Sequence, residues 1–278
     1  MAGRTFRIGV VAPAARVERL IVDPILEIAK DLYGREVEVR FHPSCFGGHG
    51  HFSGDDSTRA AALLDYSLSD EIDALWFGRG GYGAGRIASA VLPALDERAI
   101  QKPYLGYSDL GTLLVGLYKR GGGRIAHGPM AHDLRRNGGT AAVERALRWL
   151  VERSPSALEA GISTGTRTMA FNLTVLCHLI GTELEPDLRG HELLIEEVAE
   201  QMYRIDRSFC HLAHTGAFRR ASGLRLGRCG DIIPNEPDFL LSPEEIARHW
   251  CAVAGVPFLG SADIGHDAEN KVVPFGSL

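Results

Sequence analysis

Two short stretches of this 278-residue chain hold residue types that could do nucleophilic chemistry. Gly106-Tyr107-Ser108-Asp109-Leu110-Gly111 sets a serine between an apolar run, Pro103–Tyr107, and a helical pattern, Leu110–Lys119. A sharp strand-to-helix turn thrusts such a side chain outward. It also puts the next backbone N–H at a helix N-terminus, where an oxyanion is stabilised. Read alone, Ser108 fits either a nucleophile or an ordinary helix N-cap, because Leu110 fills the last slot of G-x-S-x-G. Gly78-Arg79-Gly80-Gly81-Tyr82-Gly83-Ala84-Gly85 also follows a strand pattern and opens a helix. Without Cβ atoms its N–H groups can converge on an anion. The stretch fits a phosphate loop, a tight turn, or a loop donating N–H groups to a reaction centre. It departs from G-x-x-x-x-G-K-[ST], and no acidic residue about 20 positions on suits a ribose. Of the 33 glycines, 11 lie in residues 78–123, so the excess is concentrated where this chemistry would sit.

The elements that must position these loops alternate. Phe6–Ala12 is a continuous apolar run of the kind buried on both faces of a parallel sheet, and Val22–Tyr33 has helical spacing. Glu36–His42 alternates as a strand, and a polar, glycine-rich loop, 43–56, leads to a helix over Ser57–Ser69. Ile72–Phe77 reads as a strand, Gly85–Leu92 as a helix, Pro103–Tyr107 as a strand and Leu110–Lys119 as a helix. This order predicts a parallel sheet with helices on both faces. Thr140–Glu152 is an amphipathic helix with Thr140 as the expected cap. Beyond it the alternation fades. A helix is read over Asn172–Ile180, strands over Leu193–Val198 and Gly223–Ile233, and a helix over Ser242–Ala254 with Ser242 as cap and Pro243 at its first position. The expected division is residues 1–152, a linker over 153–165, and residues 166–278.

Charge and composition exclude several classes. Lys and Arg number 30 against 35 Asp and Glu, a formal charge of −5 with no basic run, which disfavours non-specific nucleic-acid binding. No apolar run approaches the length of a membrane span, and the first apolar run stops at Pro13 as a strand would, without a secretory cleavage pattern. Five widely spaced cysteines with no C-x-x-C read as reduced thiols, so a cytoplasmic location is expected. His42, Cys45, His49 and His51 have spacing that zinc could use, but they span a strand end and a glycine loop.

Several motifs occur together in one order. Arg79-Gly-Gly-Tyr-Gly83, Gly106-Tyr-Ser-Asp109 and His127-Gly-Pro129 resemble the LD-carboxypeptidase family of serine peptidases, which includes muropeptide L,D-carboxypeptidases and microcin C self-immunity hydrolases. Ile8–Pro13, Phe52–Leu64, Leu193–Arg207, and Gly265-His266 with Pro274-Phe275-Gly276 are similar to further family segments, so the resemblance spans nearly the whole chain. It implies an α/β fold: a flavodoxin-like parallel-sheet N-terminal domain followed by a smaller, mainly β, swivelling-barrel-like C-terminal domain. It also implies a Ser–His–Glu triad of Ser108, His266 and Glu196, with an oxyanion hole from the N–H groups of Gly81 and Asp109. Ser108 would lie in the first domain and its partners in the second.

That assignment is chemically coherent, because a serine hydroxyl needs an imidazole to take its proton and the imidazole needs a carboxylate on its other nitrogen. Glu197 is the rival carboxylate, since neighbours in a strand face opposite ways. His127 is expected to be a structural hydrogen-bonder, and Glu200 with Arg207 a structural ion pair. Arg79, Tyr82 and Arg86 are the expected substrate contacts, the arginines supplying charge for a free carboxylate. Ala170-Phe171-Asn172 departs from the family's Gly-Gly-Asn, and Phe171 is expected either to narrow a pocket or to brace a loop. The implied reaction is metal-free and cofactor-free hydrolysis of the amide between a diamino acid (meso-diaminopimelate or Lys) and terminal D-Ala of a muropeptide, in peptidoglycan recycling. A homodimer is expected, with no nucleic-acid or membrane partner. The alternatives are an aminoacyl-nucleotide amide hydrolase of the microcin C type and a non-catalytic anion-binding module.

Overall fold

The computed structural model describes residues 4–278. The chain divides into two compact units. The first runs to Leu158 and takes back Asp267–Val272; the second comprises Glu159–His266 and Val273–Leu278.

In the first unit, β1 (Phe6–Val11), α1 (Val22–Tyr33), β2 (Val37–Phe41), α2 (Asp56–Leu68), β3 (Ala74–Phe77), α3 (Ala84–Val91), α4 (Glu97–Ile100), β4 (Tyr104–Gly106), α5 (Gly111–Lys119), β5 (Ile125–His127) and α6 (Gly139–Glu152) follow one another. The strands lie parallel in the order β5-β4-β3-β1-β2. This is the flavodoxin-like order, whose switch point falls between β1 and β3, and ligands bind such sheets beyond the carboxyl ends of the strands there. The loops that begin at Ala12 and Gly78 occupy those ends. Ile8, Val10, Trp76, Leu105 and Ala126 from the strands pack with Ile25 and Ala29 of α1 and Val143, Ala146 and Leu147 of α6. α2, α3 and α5 pack side by side as the other helical set. Asp55 caps α2 by accepting from Thr58 N–H at 2.7 Å. The cap expected of Thr140 is corrected: α6 starts one residue earlier, and Gly138, with φ +78°, turns the chain into it.

The second unit holds β6 (Thr168–Asn172), α7 (Leu173–Leu179), β7 (Glu192–Val198), α8 (Met202–Ala213), β8 (Gly223–Gly230), α9 (Pro243–Ala254) and β9 (Phe258–Ser261). Its four strands run parallel in the order β6-β7-β8-β9. Ser242 caps α9 as expected and forms a capping box with Glu245, each side chain accepting from the other's backbone N–H. A small apolar core joins Ala170, Leu194, Ala262, Ile264 and Val273. Phe171 is buried and lies with its ring 5.4 Å from that of Phe275, a bracing contact inside this unit. Among the described residues no helix is long and apolar enough to cross a membrane, and all five cysteines are free.

Glu159 is buried and is gripped through both oxygens by Arg225, and its carboxylate also accepts from Gly161 N–H and Asp263 N–H. Breaking a buried pair by removing one partner typically costs about 3–5 kcal/mol, because the other charge is stranded. Arg225→Met is therefore expected to lower unfolding stability by about that amount. The double substitution Glu159→Leu with Arg225→Met should recover most of it, as measured by urea denaturation.

Candidate active site

The chain enters the Ser108 turn under tight constraint. Gly106 abuts β3 so closely that a Cβ there would sit 2.7 Å from Phe77 Cδ2. Tyr107 is buried and its hydroxyl donates to Asp133 Oδ1 at 2.9 Å, while Arg136 Nε donates to the same oxygen at 2.8 Å. Ser108 then adopts φ +59°, a left-handed conformation that costs an L-residue roughly 1–2 kcal/mol. A short 3₁₀ turn, Ser108–Leu110, leads directly into α5. The N–H of Asp109 falls among the first-turn donors that a helix leaves unbonded. Strain of this kind is a recurrent property of functional sites.

The glycine-rich loop lies against this turn. A Cβ on Gly80 would stand 3.1 Å from Ser108 Cβ and 3.2 Å from its Oγ. Gly81 and Gly83 have φ of +108° and +137°, which only glycine adopts without strain. The loop's polar groups are held one by one. Ala15 N–H donates to Gly80 O at 3.2 Å, and Tyr82 N–H donates to His51 Nε2 at 3.2 Å. Arg59 Nη1 donates to Gly83 O at 2.8 Å, and Ala84 N–H donates to Asp109 Oδ2 at 2.8 Å. The N–H of Gly81 has no acceptor among the described residues. Burial pushes the Asp109 carboxyl up to about 6, while Ala84 N–H, the Arg59 guanidinium and His51 pull it back down.

In the second unit, Glu196 is fully buried in β7 and His266 follows β9 in a loop. His266 Nδ1 and Glu196 Oε2 are 2.6 Å apart. Burial raises the Glu196 carboxyl above its ordinary range, and the neighbouring imidazole draws it back. The register of β7 against β8 slips between Ile195 and Glu197, so the two glutamates meet different neighbours. Glu197 accepts from Asn172 Nδ2 at 2.6 Å, Thr174 N–H at 2.9 Å, Thr174 Oγ1 at 2.7 Å and Val198 N–H at 2.9 Å. Those four donors make it a structural carboxylate. Gly227 of β8 makes room beneath the pair, since a Cβ there would stand 2.8 Å from Ile264 O and 3.0 Å from Glu196 Cβ. Arg228 N–H donates to Ile264 O at 2.8 Å, and Arg228 ion-pairs with Asp263, which ties the segment before His266 to β8. The Cys229 thiol, pushed up to about 12 by burial and by both glutamates, stays protonated.

Thus Ser108, Gly81 and Asp109 come together within the first unit, and Glu196 and His266 within the second. Arg79 and Tyr82 stand on the glycine-rich loop. Arg79 donates to Arg16 O at 3.3 Å, and neither arginine has an ion-pair partner among the described residues. The exposed Arg86 is ion-paired with Asp56 at 2.7 Å. His127 bonds Asn270 Oδ1 at 3.1 Å in a buried setting, as a structural histidine should. The Glu200–Arg207 pair is corrected: Glu200 lies one helical turn from Arg204, at 3.6 Å, and Arg207 stacks over the Tyr203 ring. His42 binds Ser44 and faces Asp65, Cys45 donates to Val10 O, and His51 turns to Tyr82, so these side chains serve separate partners. Sequence reading gives Arg59 and Arg16 no role, although Arg59 lies inside the Phe52–Leu64 segment, and it marks His51 only for its zinc-like spacing.

The first unit thus carries a strained serine turn near the Gly81 N–H, and the second a buried Glu–His pair, residue types that a serine hydrolase uses. Family models agree: the LD-carboxypeptidase N-terminal domain matches residues 8–128 and the LD-carboxypeptidase C-terminal domain matches residues 166–278. The chain is 30% identical to the probable murein peptide carboxypeptidase of Bacillus subtilis, covering 97% of this chain and 86% of that protein. It is 28% identical to the murein tetrapeptide carboxypeptidase of Pseudomonas aeruginosa, covering 97% and 91%. In fold it is similar to muramoyltetrapeptide carboxypeptidase from Oxalobacter formigenes, with a TM-score of 0.77, 21% identity, and coverage of 96% and 93%. It is equally similar to the microcin C7 self-immunity protein MccF, with a TM-score of 0.77, 20% identity, and coverage of 99% and 92%. The chain belongs to the LD-carboxypeptidase family of serine peptidases.

Two substitutions read this geometry. Gly80→Ala puts a methyl 3.1 Å from Ser108 Cβ, so the side chain must shift slightly, and covalent labelling of Ser108 by a fluorophosphonate should slow by up to about tenfold. Ser108→Gly should remove labelling and raise the melting midpoint by a few degrees, because glycine relieves about 1 kcal/mol of left-handed strain.

Proposed function

We propose that this protein is a serine L,D-carboxypeptidase that releases terminal D-Ala from muropeptides in the cytoplasm, as a step of peptidoglycan recycling. The observation that carries the reading is the 2.6 Å hydrogen bond between His266 Nδ1 and Glu196 Oε2. It fixes the imidazole tautomer, so that Nε2 is the nitrogen that takes the Ser108 proton. The deprotonated oxygen attacks the carbonyl of the diamino acid. The tetrahedral oxygen is received by the N–H groups of Gly81 and Asp109. His266 then gives its proton to the departing amine of D-Ala, and water hydrolyses the acyl-enzyme by the same route. Glu196 stays ionised and stabilises the imidazolium.

A terminal D-Ala carries a free carboxylate, and Arg79, with Arg16 beside it, supplies cationic charge at the carboxyl ends of β1 and β3. Arg86 acts more remotely, through its pair with Asp56. Tyr82, 56% exposed, offers a ring to the substrate. The reading draws on the curated relatives named for murein peptides. The structural likeness to MccF keeps a second reading, hydrolysis of an aminoacyl-nucleotide amide by the same residues.

Incubation with a disaccharide-free tetrapeptide ending in D-Ala decides between them. Wild type is expected to release D-Ala, and Ser108→Ala, Glu196→Gln and His266→Ala to lose at least about 10³ in kcat. Release of no D-Ala, with cleavage of an aminoacyl sulfamoyl nucleoside instead, would establish the second reading.

A further inference from the structure

The Asp109 side chain has no part in the triad, yet it is the direct link between the two segments that flank the reaction centre. Its N–H belongs to the nucleophile turn, and its Oδ2 accepts the N–H of Ala84, the first residue of α3 and the end of the glycine-rich loop. On the other side of the same peptide unit, Gly83 O accepts from Arg59. One peptide group is thus held by a buried carboxylate on its N–H and a buried guanidinium on its carbonyl. Arg59 also donates to Gly54 O at 3.1 Å and to Pro13 O, and it pairs with Asp56, so it reaches the loop after β1 as well. Gly83 is compatible only with this arrangement: a Cβ there would stand 2.8 Å from Arg59 Nη1.

The Gly83–Ala84 peptide lies two residues past Gly81, whose N–H has no acceptor among the described residues. If the loop shifts at residue 83, the Gly81 N–H moves relative to Ser108 and to Asp109 N–H. We propose that Asp109 is a positioning residue: its carboxylate, opposed by Arg59, clamps the Gly83–Ala84 peptide and so holds the two N–H donors of the oxyanion hole in register. This rests on the serine-hydrolase reading above and assigns the side chain a role separate from its N–H. A clamp of this kind acts on the transition state, where the oxyanion forms, and little on substrate binding.

The charged and titratable groups facing the carboxylate are Arg59 from α2 and His51 from the loop before it, and the Ala84 N–H faces it from α3. Because burial places the Asp109 carboxyl at about 6, it gains a proton as pH falls through that value and loses its attraction for Arg59. The clamp therefore loosens on the acid side.

The test compares wild type with Asp109→Ala and Asp109→Asn, both of which keep the residue-109 N–H. Three quantities are read: amide exchange of residues 80–84, the rate of fluorophosphonate labelling at Ser108, and kcat and KM for D-Ala release. Asp109→Ala is expected to exchange the Ala84 N–H at least about tenfold faster and to label about 10²–10³ more slowly, the size of effect of a lost oxyanion donor. Its kcat should fall by the same factor with KM within about threefold, the pattern of an interaction made only in the transition state. Asp109→Asn, which keeps an acceptor but no charge, should fall between the two. Its acid limb in kcat should lack the step near pH 6 that wild type shows. A folded Asp109→Ala protein with unchanged exchange at Ala84, or with labelling within threefold of wild type, would overturn the clamp. If Asp109→Ala does not fold, Asp109→Asn decides by the same criteria. A wild type that neither labels nor releases D-Ala would sink the functional reading instead, and the exchange comparison alone would then decide the clamp.

Discussion

Ser108 is held with φ at +59°, and the surrounding first unit is arranged to keep it there. A single left-handed L-residue relaxes unless both flanks are fixed. On the entry side, Gly106 packs flat against Phe77, and Tyr107 is buried with its hydroxyl on Asp133. On the exit side, Leu110 is fully buried, and Asp109 is tied through its carboxylate to the start of α3. The turn in turn dictates its neighbours. Because Ser108 lies against the loop after β3, a Cβ at residue 80 would crowd it, at 3.1 Å from its own Cβ. Gly80 thus answers to the strained turn itself, whereas Gly78, Gly81 and Gly83 answer to Val17, to Ala15 and His51, and to Arg59 and Phe52.

The second unit faces a different constraint, two adjacent carboxylates inside one strand. Burying an ionised carboxylate is unfavourable unless it is hydrogen-bonded or paired. Glu197 is satisfied by donors that its own neighbourhood supplies, chiefly Asn172 and Thr174 at the junction of β6 and α7. Glu196 has instead one imidazole, from a segment 70 residues later. The first arrangement is complete and static. The second leaves the carboxylate dependent on a group that can change its charge, which is what a proton-transfer pair requires. The slip in register at Ile195 and Glu197 separates the two fates.

The sequence made legible what is periodic or short-range. Strand and helix alternation through α5 was read within a residue or two at most ends, because continuous apolar runs and helical spacing both survive in a buried parallel sheet. Motifs single out Ser108, Glu196 and His266 as candidates, and without them Ser108 reads as either a nucleophile or a cap. The strand β6 was missed because its five residues end directly in α7, with Asn172 serving both as its last residue and as the helix cap. Helix α8, not expected from the sequence, carries Ile205, Phe209, Leu212 and Ala213 on one buried side. Arg59 lies in a segment that the sequence singles out, but its burial is not legible there. An arginine in an amphipathic helix is ordinarily solvent-facing, and its burial depends on three carbonyl groups brought together by the fold.

Those buried charges also set where stability comes from. A buried ion pair is a weak source of net stability, since desolvation offsets attraction. Asp109 shows the sign directly. Its carboxyl lies at about 6 in the folded protein against an ordinary value near 4, so folding favours the protonated form. Its contribution to stability is full below about pH 4 and is lost as pH rises through about 6. Near neutral pH the ionised carboxylate is therefore held against the preference of the fold. Strain at Ser108 acts in the same direction. The stabilising burial lies elsewhere, in the apolar side chains that the strands share with α1 and α6 of the first unit. The carboxyl ends of β1, β3 and β4 are thus a region where geometry is maintained at the expense of local stability, and the apolar layer beneath is what makes that sustainable.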